Sequence, residues 1–444
     1  MASSIRRDLV VIGGGISGLT TAFWQQEAGR AVTLLEASSR LGGAITTHRE
    51  GDFLFELGPN TVLDGDPSVG ALIDALGLTA RKLGARPSAS RRWLWRKNRL
   101  IALPSSPFSA LTTRLISLSA KLRVLREPWI PRREAGNDES IADFVRRRLG
   151  PELLDYAVGP FVSGVYAGDP ERLAVRWATP KLAALEAEHG SLIRGAWARR
   201  RGPIPGGGMF SFREGLAELP NRLGERIGDL RTGVEAQHIE RAAGGFSIAT
   251  SAGSIEATKV VLAVPADVAA RLLDGLSDGA SRVFEQLPYA PVVVVALGVR
   301  RSDVAHPLGG FGFLAPRKES LRMLGCLFPS EIFTDRAPDG QVALSAIVGG
   351  RTDEEITTWD DERIIALVRE ELHRAIGLTG EPIAAVVRRW RRAIPQYEIG
   401  HGRFIELARA LETRLPGLHI GGNLLGGVSV ADCIKNGTAL GHRI

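Results

Sequence analysis

Cysteine is nearly absent from these 444 residues: only Cys326 and Cys433 occur, far apart. That excludes a disulfide framework and any thiolate metal site, and it fits a reducing compartment. Long apolar runs are missing as well. The longest, such as Tyr289 to Val299 and Val260 to Val264, fall well short of the ~20 residues that span a bilayer, so no transmembrane helix is expected. The eight histidines show no metal spacing, and no Ser-His-Asp or Cys-His arrangement can be argued from the sequence, so no metal is expected. Internal repeats and low-complexity tracts are lacking too. With 44% hydrophobic and 24% charged residues, the composition excludes a disordered, collagen-like or coiled-coil protein, and the length suits about two or three domains. Lys+Arg 56 against Asp+Glu 49 gives a net charge of +7. That balance permits an acidic small molecule or an anionic surface as partner; no nucleic-acid partner is expected.

Glycine is the opposite case. The chain holds 52, more than the roughly 7% of an average protein, and many fall beside apolar runs where backbone turns tightly or approaches a ligand. Asp8 to Ile12 is a β-branched run, Gly13 to Gly18 is glycine-punctuated, Leu19 to Ala28 reads as a helix closed by Gly29, and Val32 to Glu36 reads as a second strand. The series is a βαβ unit whose right-handed crossover makes its strands parallel. Arg6-Arg7 reads as its polar lead-in rather than an export signal. In Gly13-x-Gly15-x-x-Gly18, the first glycine allows the turn, the second admits a pyrophosphate against the backbone, and the third lets helix and strand pack closely. Glu36 stands where a carboxylate accepts hydrogen bonds from ribose hydroxyls and repels a 2′-phosphate, which disfavours NADP. A glycine-rich turn beside a surface Glu is the plain alternative, and the strand before and helix after weigh against it.

Further on, Arg91 to Leu103 reads as an extended hairpin in which alternation puts Arg92 and Leu94 on one face, Trp93 and Trp95 on the other. Pro104 to Arg199 is mainly helical. The loop Gly202 to Gly208 precedes strands at Val260 to Val264, Pro291 to Val299, Phe311 to Leu314, Gln341 to Val348 and Leu418 to Ile420. Helices follow the pattern at Glu362 to Ile376, at Arg403 to Leu415 and from near Asp432.

Glu36-Ala37-Ser-Ser-Arg40-Leu-Gly42-Gly43 resembles the extension that follows the glycine fingerprint in flavoproteins of the monoamine-oxidase type, which moves the expected cofactor from NAD to FAD. Arg40 would bring a cation toward the pyrophosphate. Four further segments resemble the protoporphyrinogen oxidase family: Phe55-Glu56-Leu57-Gly58-Pro59-Asn60, Phe161-Val162-Ser163-Gly164-Val165-Tyr166-Ala167-Gly168-Asp169, Ile394-Pro395-Gln396-Tyr397, and Gly421-Gly422-Asn423 through Gly426-Gly427-Val428-Ser429-Val430-Ala431-Asp432-Cys433-Ile434. Gly310-Phe311-Gly312-Phe313-Leu314 belongs to the same likeness, which covers essentially the whole chain. Between Arg199 and Phe212 the chain departs from the family in a shorter, more glycine-rich linker.

The resemblance implies an α/β fold: a Rossmann-type FAD-binding domain from residues 1–80, 201–265 and 396–444, a mixed-sheet substrate domain from 81–103 and 266–395, and an inserted helical, membrane-facing domain at 104–200. It implies that Gly13, Gly14, Gly15, Ile16, Ser17, Gly18, Glu36, Ala37, Arg40, Gly42, Gly43, the turn Gly58, Pro59, Asn60 and Thr61, with Val234, Trp390, Val428, Ser429 and Val430, contact FAD. For Val234 and Trp390 ordinary packing explains the residue equally well. Arg92 is expected on a substrate propionate, Gly164, Phe311 and Phe313 near the tetrapyrrole, and Asn60 as the catalytic-side residue by the reacting flavin edge. The implied activity is oxygen-dependent oxidation of protoporphyrinogen IX in haem biosynthesis, with FAD taking hydride and peroxide formed. Coproporphyrinogen III oxidation is the alternative substrate, and a non-catalytic flavin-binding scaffold the alternative class. Pro104 to Pro131 mixes Phe108, Leu111, Leu115, Ile116, Leu118, Leu122, Leu125 and Trp129 with Arg114, Lys121, Arg123 and Arg126. Either a peripheral membrane surface or a domain-packing helix uses such a mixture. The expected location is cytoplasmic, at the inner face of the membrane if that surface is used, and a homodimer stays open.

Overall fold

The structure, a computed structural model, describes residues 6–104, 106, 109, 112–133, 138–200, 208–277 and 279–444. Phe108, Leu111 and residues 202–207 of the glycine-proline loop lie outside the described residues.

The chain enters a first sheet as β1 (Arg7–Ile12), crosses by α1 (Ile16–Glu27) to β2 (Val32–Glu36), and leaves. It then forms the hairpin β3 (Trp93–Arg96) and β4 (Arg99–Ala102). Lys97 and Asn98 turn that hairpin with φ of 51° and 57°, the left-handed pair that a two-residue loop favours. Helices follow, among them α2 (Ile141–Arg148) and α3 (Gly159–Tyr166). The first sheet resumes with β5 (Asp229–Thr232), β6 (Ala236–Ala242), β7 (Gly245–Thr250) and β8 (Gly253–Leu262). A second excursion builds β9 (Tyr289–Arg300), β10 (Gly312–Leu314), β11 (Gly325–Leu327), β12 (Gln341–Gly349), α4 (Asp361–Ile376) and β13 (Ala384–Pro395). The chain returns for β14 (Leu418–Ile420) and α5 (Val430–Arg443).

Among the described residues the first sheet has the order β5-β2-β1-β8-β7-β6, with β14 also on β8. Its β5, β2, β1, β8 and β14 pair in parallel, whereas β6 and β7 join β8 as an antiparallel meander. Period-2 alternation divides β1: Leu9 and Val11 face α1 and α5, while Val10 and Ile12 face the opposite cluster with Phe246, Ala269 and Leu411. Both faces are thus covered, as a parallel sheet demands.

The second sheet has the order β13-β9-β12-β11-β10-β3-β4. One face carries Trp95, Val293, Val295, Phe313, Cys326 and Ala346 and packs under Ile364, Val368 and Leu372 of α4. Asp360 caps α4 through its side chain, and Gly377 ends it in the left-handed conformation. The edge strand β13 is absent from the expectations above, because its Arg388, Arg389, Arg391 and Arg392 mask the apolar pattern; an edge strand tolerates such charge.

In the helical part, Arg148 and Glu127 are both fully buried and lie 2.7 Å apart. Glu127 also accepts from the Ser191 hydroxyl and the amides of Leu192 and Ile193, so one carboxylate fixes three segments. A buried pair of this kind is costly to break because either partner alone would be an uncompensated charge. Leu118, Leu122 and Leu125 follow one face of the helix Leu118–Leu125 and are exposed, as is Trp129 just beyond it, whereas Leu115 is buried. No helix among the described residues is long and apolar enough to cross a membrane.

Candidate flavin and substrate site

The site is framed by two helices that lie side by side. Ser17 Oγ donates to the Cys433 carbonyl at 3.3 Å, Thr21 Oγ1 to that of Gly437 at 3.0 Å, and Gln25 Nε2 to that of Gly441. Each partner pair advances four residues on both helices, so α1 and α5 run parallel and in register. The approach needs small residues: a Cβ on Gly437 would come within 2.7 Å of the Ser17 carbonyl oxygen. Consequently both N-termini open on the same place, at the C-terminal end of β1, where the sheet order reverses between β2 and β8.

The two ends differ chemically. Helix α1 has no side-chain cap and no acidic residue in its first turn, and a Cβ on its N-cap Gly15 would meet nothing within 4 Å. An uncapped positive end beside open space fits an anionic pyrophosphate. Helix α5 is capped by Ser429, whose Oγ accepts from the Asp432 amide at 3.1 Å and donates to its carboxylate at 2.6 Å. Val428 and Ser429 are half-buried there and Val430 is buried. Gly13 has φ 111°, and a Cβ on it would strike the Ala263 carbonyl oxygen at 2.4 Å, so the turn depends on its being glycine. Ile16, Ser17 and Gly18 begin α1 and are buried.

Around this opening the remaining residues expected to contact the flavin assemble. Glu36 accepts from the Gly14 amide at 2.7 Å on one oxygen and from the amide and hydroxyl of Ser38 on the other. Its carbonyl receives the Val234 amide at 3.0 Å, which brings Val234 to the end of β2. Ala37 is exposed beside it. Arg40 donates to the carbonyls of Leu41, Gly43 and Ile45 at 3.3, 2.7 and 3.1 Å. It therefore shapes the Gly42-Gly43 turn, which the Gly42 amide fastens to the Gly14 carbonyl at 2.8 Å. Burial, then the nearby Arg388 cation, lowers the Arg40 pKa. Trp390 on β13 donates its indole N–H to the Leu57 carbonyl at 2.6 Å, holding the turn Gly58, Pro59, Asn60, Thr61 against the second sheet. Asn60 in turn donates to the Gly58 carbonyl at 3.1 Å, with its side chain half-buried at the opening.

On the second sheet the registers sort the residues expected on the substrate side. Phe313 pairs with Trp93 and Leu314 with Leu94, and Phe313 belongs to the core under α4, its ring 6.2 Å from Phe328. Phe313, expected near the tetrapyrrole, thus lies on the face of the sheet that packs under α4, away from Gly164. Leu314 is the residue beside that glycine: a Cβ on Gly164 of α3 would lie 2.4 Å from Leu314 Cδ2. Phe311 stays near Arg92, whose guanidinium carbon lies 5.3 Å from the ring centroid, and Arg92 itself is exposed. The loop carrying Phe311 is anchored by Trp93, whose indole donates to the Leu308 carbonyl at 3.1 Å. The face shared by Leu94, Leu314, Ile347 and Val294 ends at Arg388 and lies beside Trp390. It is an apolar floor with cations at two ends.

Glu56 is the functional-looking residue that sequence reasoning passed over. It is buried, accepts from the Leu216 amide at 2.7 Å and the Thr47 hydroxyl at 2.8 Å, and burial pushes its pKa up to about 7. The available signal was a lone carboxylate between Phe55 and Leu57 in a strand of apolar residues.

Comparison with known proteins adds four likenesses. The profile of the family described as flavin containing amine oxidoreductase matches residues 16–439. The chloroplastic protoporphyrinogen oxidase 1 of Arabidopsis thaliana is 32% identical, covering 98% of this chain and 87% of its own. Coproporphyrinogen III oxidase of Bacillus subtilis is 29% identical over 98% of this chain and 97% of its own. A solved structure provisionally named protoporphyrinogen oxidase, from Exiguobacterium sp. 255-15, superimposes with a TM-score of 0.85 at 25% identity, covering 99% of each chain.

Proposed function

The chain belongs to the flavin-containing amine oxidoreductase family and is an FAD-dependent oxidoreductase, and within that family we propose that it oxidises protoporphyrinogen IX to protoporphyrin IX, with oxygen as acceptor and peroxide as product. The observation that carries the reading is the apolar face of Leu94, Leu314 and Ile347, with Arg92 two residues before Leu94 and with Trp390, beside that face, bonded to the Leu57 carbonyl next to the turn Gly58 to Thr61. A reduced tetrapyrrole has apolar faces and carboxylate arms, and such a slot matches both.

The roles of the residues follow from their chemistry. Gly13 to Gly18 and Glu36 hold the dinucleotide part of FAD, with Arg40, Gly42 and Gly43 shaping the turn beside it, and Val428 to Val430 stand at the ring end. FAD, when bound, supplies the hydride acceptor of each oxidation step. Arg92 binds a propionate through its guanidinium fork, and Phe311 stacks on a pyrrole. Gly164 and Leu314 set the width of the slot. Asn60 orients the substrate at the edge where its methylene reacts. Among the described residues, Leu94, Leu314, Ile347 and Val294 of the floor carry no carboxylate, imidazole or thiol.

A second reading, coproporphyrinogen III oxidation, is favoured by the Bacillus likeness, which spans 97% of that relative. Assaying purified protein with both porphyrinogens by porphyrin fluorescence separates the two; no porphyrin from either would leave a flavin-binding scaffold. For partners, we propose peripheral membrane contact through Leu118, Leu122, Leu125 and Trp129, with location at the inner membrane face; failure to bind anionic liposomes at low salt refutes it.

A further inference from the structure

The segment Gln396 to His401 joins three parts of the molecule that are far apart in sequence. Gln396 Nε2 donates to the Tyr166 carbonyl at the end of α3 and to the Ile394 carbonyl of β13, at 2.9 and 3.0 Å. The Tyr397 carbonyl accepts from the Ala174 amide, and the Ile399 amide donates to the Arg172 carbonyl, so the segment is laced to the helical part. The polar ends of Tyr397 and His401 reach the loop that follows β14. Tyr397 donates its hydroxyl to the Asn423 carbonyl at 2.5 Å, and His401 Nε2 lies 3.2 Å from the Leu425 carbonyl. Both are nearly wholly buried, and their rings are 4.6 Å apart.

Asn423 and Leu425 belong to the loop that delivers Val428, Ser429 and Val430 to the start of α5. Val428 packs on the hydrophobic cluster of the helical part, and Tyr397 is a member of that cluster. Burial pushes the His401 pKa down to about 4, so the ring is neutral and has one N–H, which it gives to Leu425. Each ring thus holds one backbone carbonyl of the loop, and each is wedged against the helical part: Trp177, whose indole donates to Asp138, stands 6.0 Å from His401.

We propose that Tyr397 and His401 are positioning residues that set the 423–430 loop against the flavin ring, coupling the seating of the helical part to the affinity and environment of the flavin. The inference rests on the reading that Val428 to Val430 contact FAD. Neither side chain touches the reacting atoms; both act through the carbonyls they hold. Because β13 and α3 also meet at Gln396, a displacement of the helical part reaches the flavin edge without crossing the substrate slot.

The test uses FAD titration of reversibly deflavinated full-length protein, the visible spectrum of the reconstituted flavoprotein, and amide exchange of peptides covering 421–430. Tyr397→Phe removes only the hydroxyl and leaves the Asn423 carbonyl unpaired. It should raise the FAD dissociation constant about tenfold, shift the flavin absorption fine structure, and speed exchange in 421–430 while leaving exchange in β9 and α4 unchanged. His401→Ala should act likewise, and His401→Gln, which keeps an N–H near the Nε2 position, should restore most of the affinity. Unchanged FAD affinity and spectrum in Tyr397→Phe, with normal folding, would overturn the proposal, as would faster exchange spread over the whole chain. Val428→Trp separates the two levels: if it also leaves FAD binding intact, the flavin placement and the coupling fail together. If it blocks FAD while Tyr397→Phe is silent, only the coupling fails.

Discussion

Replacing Gly437 by alanine tests the parallel helix pair on which the site is built. The added Cβ would sit 2.7 Å from the Ser17 carbonyl oxygen and 3.0 Å from Thr20 Cβ, so to regain ordinary contact near 3.4 Å the helices must part by roughly 0.7 Å. Overpacking of this degree costs about 1 to 3 kcal/mol, while alanine gains about 1 kcal/mol over glycine in a helix. Gly70, inside the helix Pro67–Ala75, has nothing within 4 Å of its own Cβ position, so Gly70→Ala collects the helical gain alone. At ~2.1 cal/mol/K per residue over 444 residues, 1 kcal/mol moves Tm by about 1 °C. Thermal unfolding at saturating FAD should therefore place Gly437→Ala about 1 to 3 °C below Gly70→Ala. Gly441→Ala, whose Cβ would meet Trp24 Cβ at 3.1 Å, should fall between. Parting the helices also moves the start of α5 away from the Gly15 turn, so only the 437 and 441 variants should weaken FAD binding. Equal gains in Tm at all three positions, or unchanged FAD affinity at 437, would refute the reasoning.

Glu36→Ala should weaken FAD retention, each charge-assisted hydrogen bond to a ribose hydroxyl contributing about 1.5 to 3 kcal/mol; flavin occupancy unchanged on dilution contradicts the role. Arg92→Ala should raise KM for porphyrinogen with FAD content intact and Arg92→Lys should rescue in part, whereas Arg91→Ala, whose guanidinium lies over Trp93, should be nearly silent; equal effects at the two positions would remove Arg92 from the substrate. Glu56 has a folded pKa of about 7 against an ordinary 4.5. Its contribution to stability is therefore fully present below about pH 4.5 and lost as pH rises to about 7, amounting to a few kcal/mol. Glu56→Gln should flatten that part of the pH profile of Tm between pH 5 and pH 8, and a parallel profile would assign the titration elsewhere.

The β1-α1-β2 unit of the first sheet was legible because its signals are local, whereas β5, β6 and β7 were not read as strands. Gly13, Gly15 and Gly18 announce a turn between a β-branched run and a helix, and Glu36 closes the next strand within a few turns of chain. The pairing of β1 with β8 and of α1 with α5 has no such mark, since small residues such as Gly437 and Gly441 reveal a helix contact only once the partner is known. On the second sheet, alternation placed Trp93 and Trp95 together correctly. For Phe313 and Leu314 alternation alone does not say which one faces the substrate side; the register that sets Phe313 beside Trp93 and Leu314 beside Leu94 does. Glu56 went unnoticed because a carboxylate in an apolar strand reads as surface until the Leu216 amide is seen to close over it.

The register of α1 on α5 joins residues separated by 416 positions. Closing so long a loop is entropically expensive, and contacts of that kind form late in folding. A chain emerging during synthesis can complete α1 and β2 from local interactions, yet Ser17, Thr21 and Gln25 stay without their α5 acceptors until α5 has been made. The opening between the two helix N-termini thus exists only once α5 has joined α1. FAD, binding only once it does, draws the folding equilibrium toward the finished state by mass action.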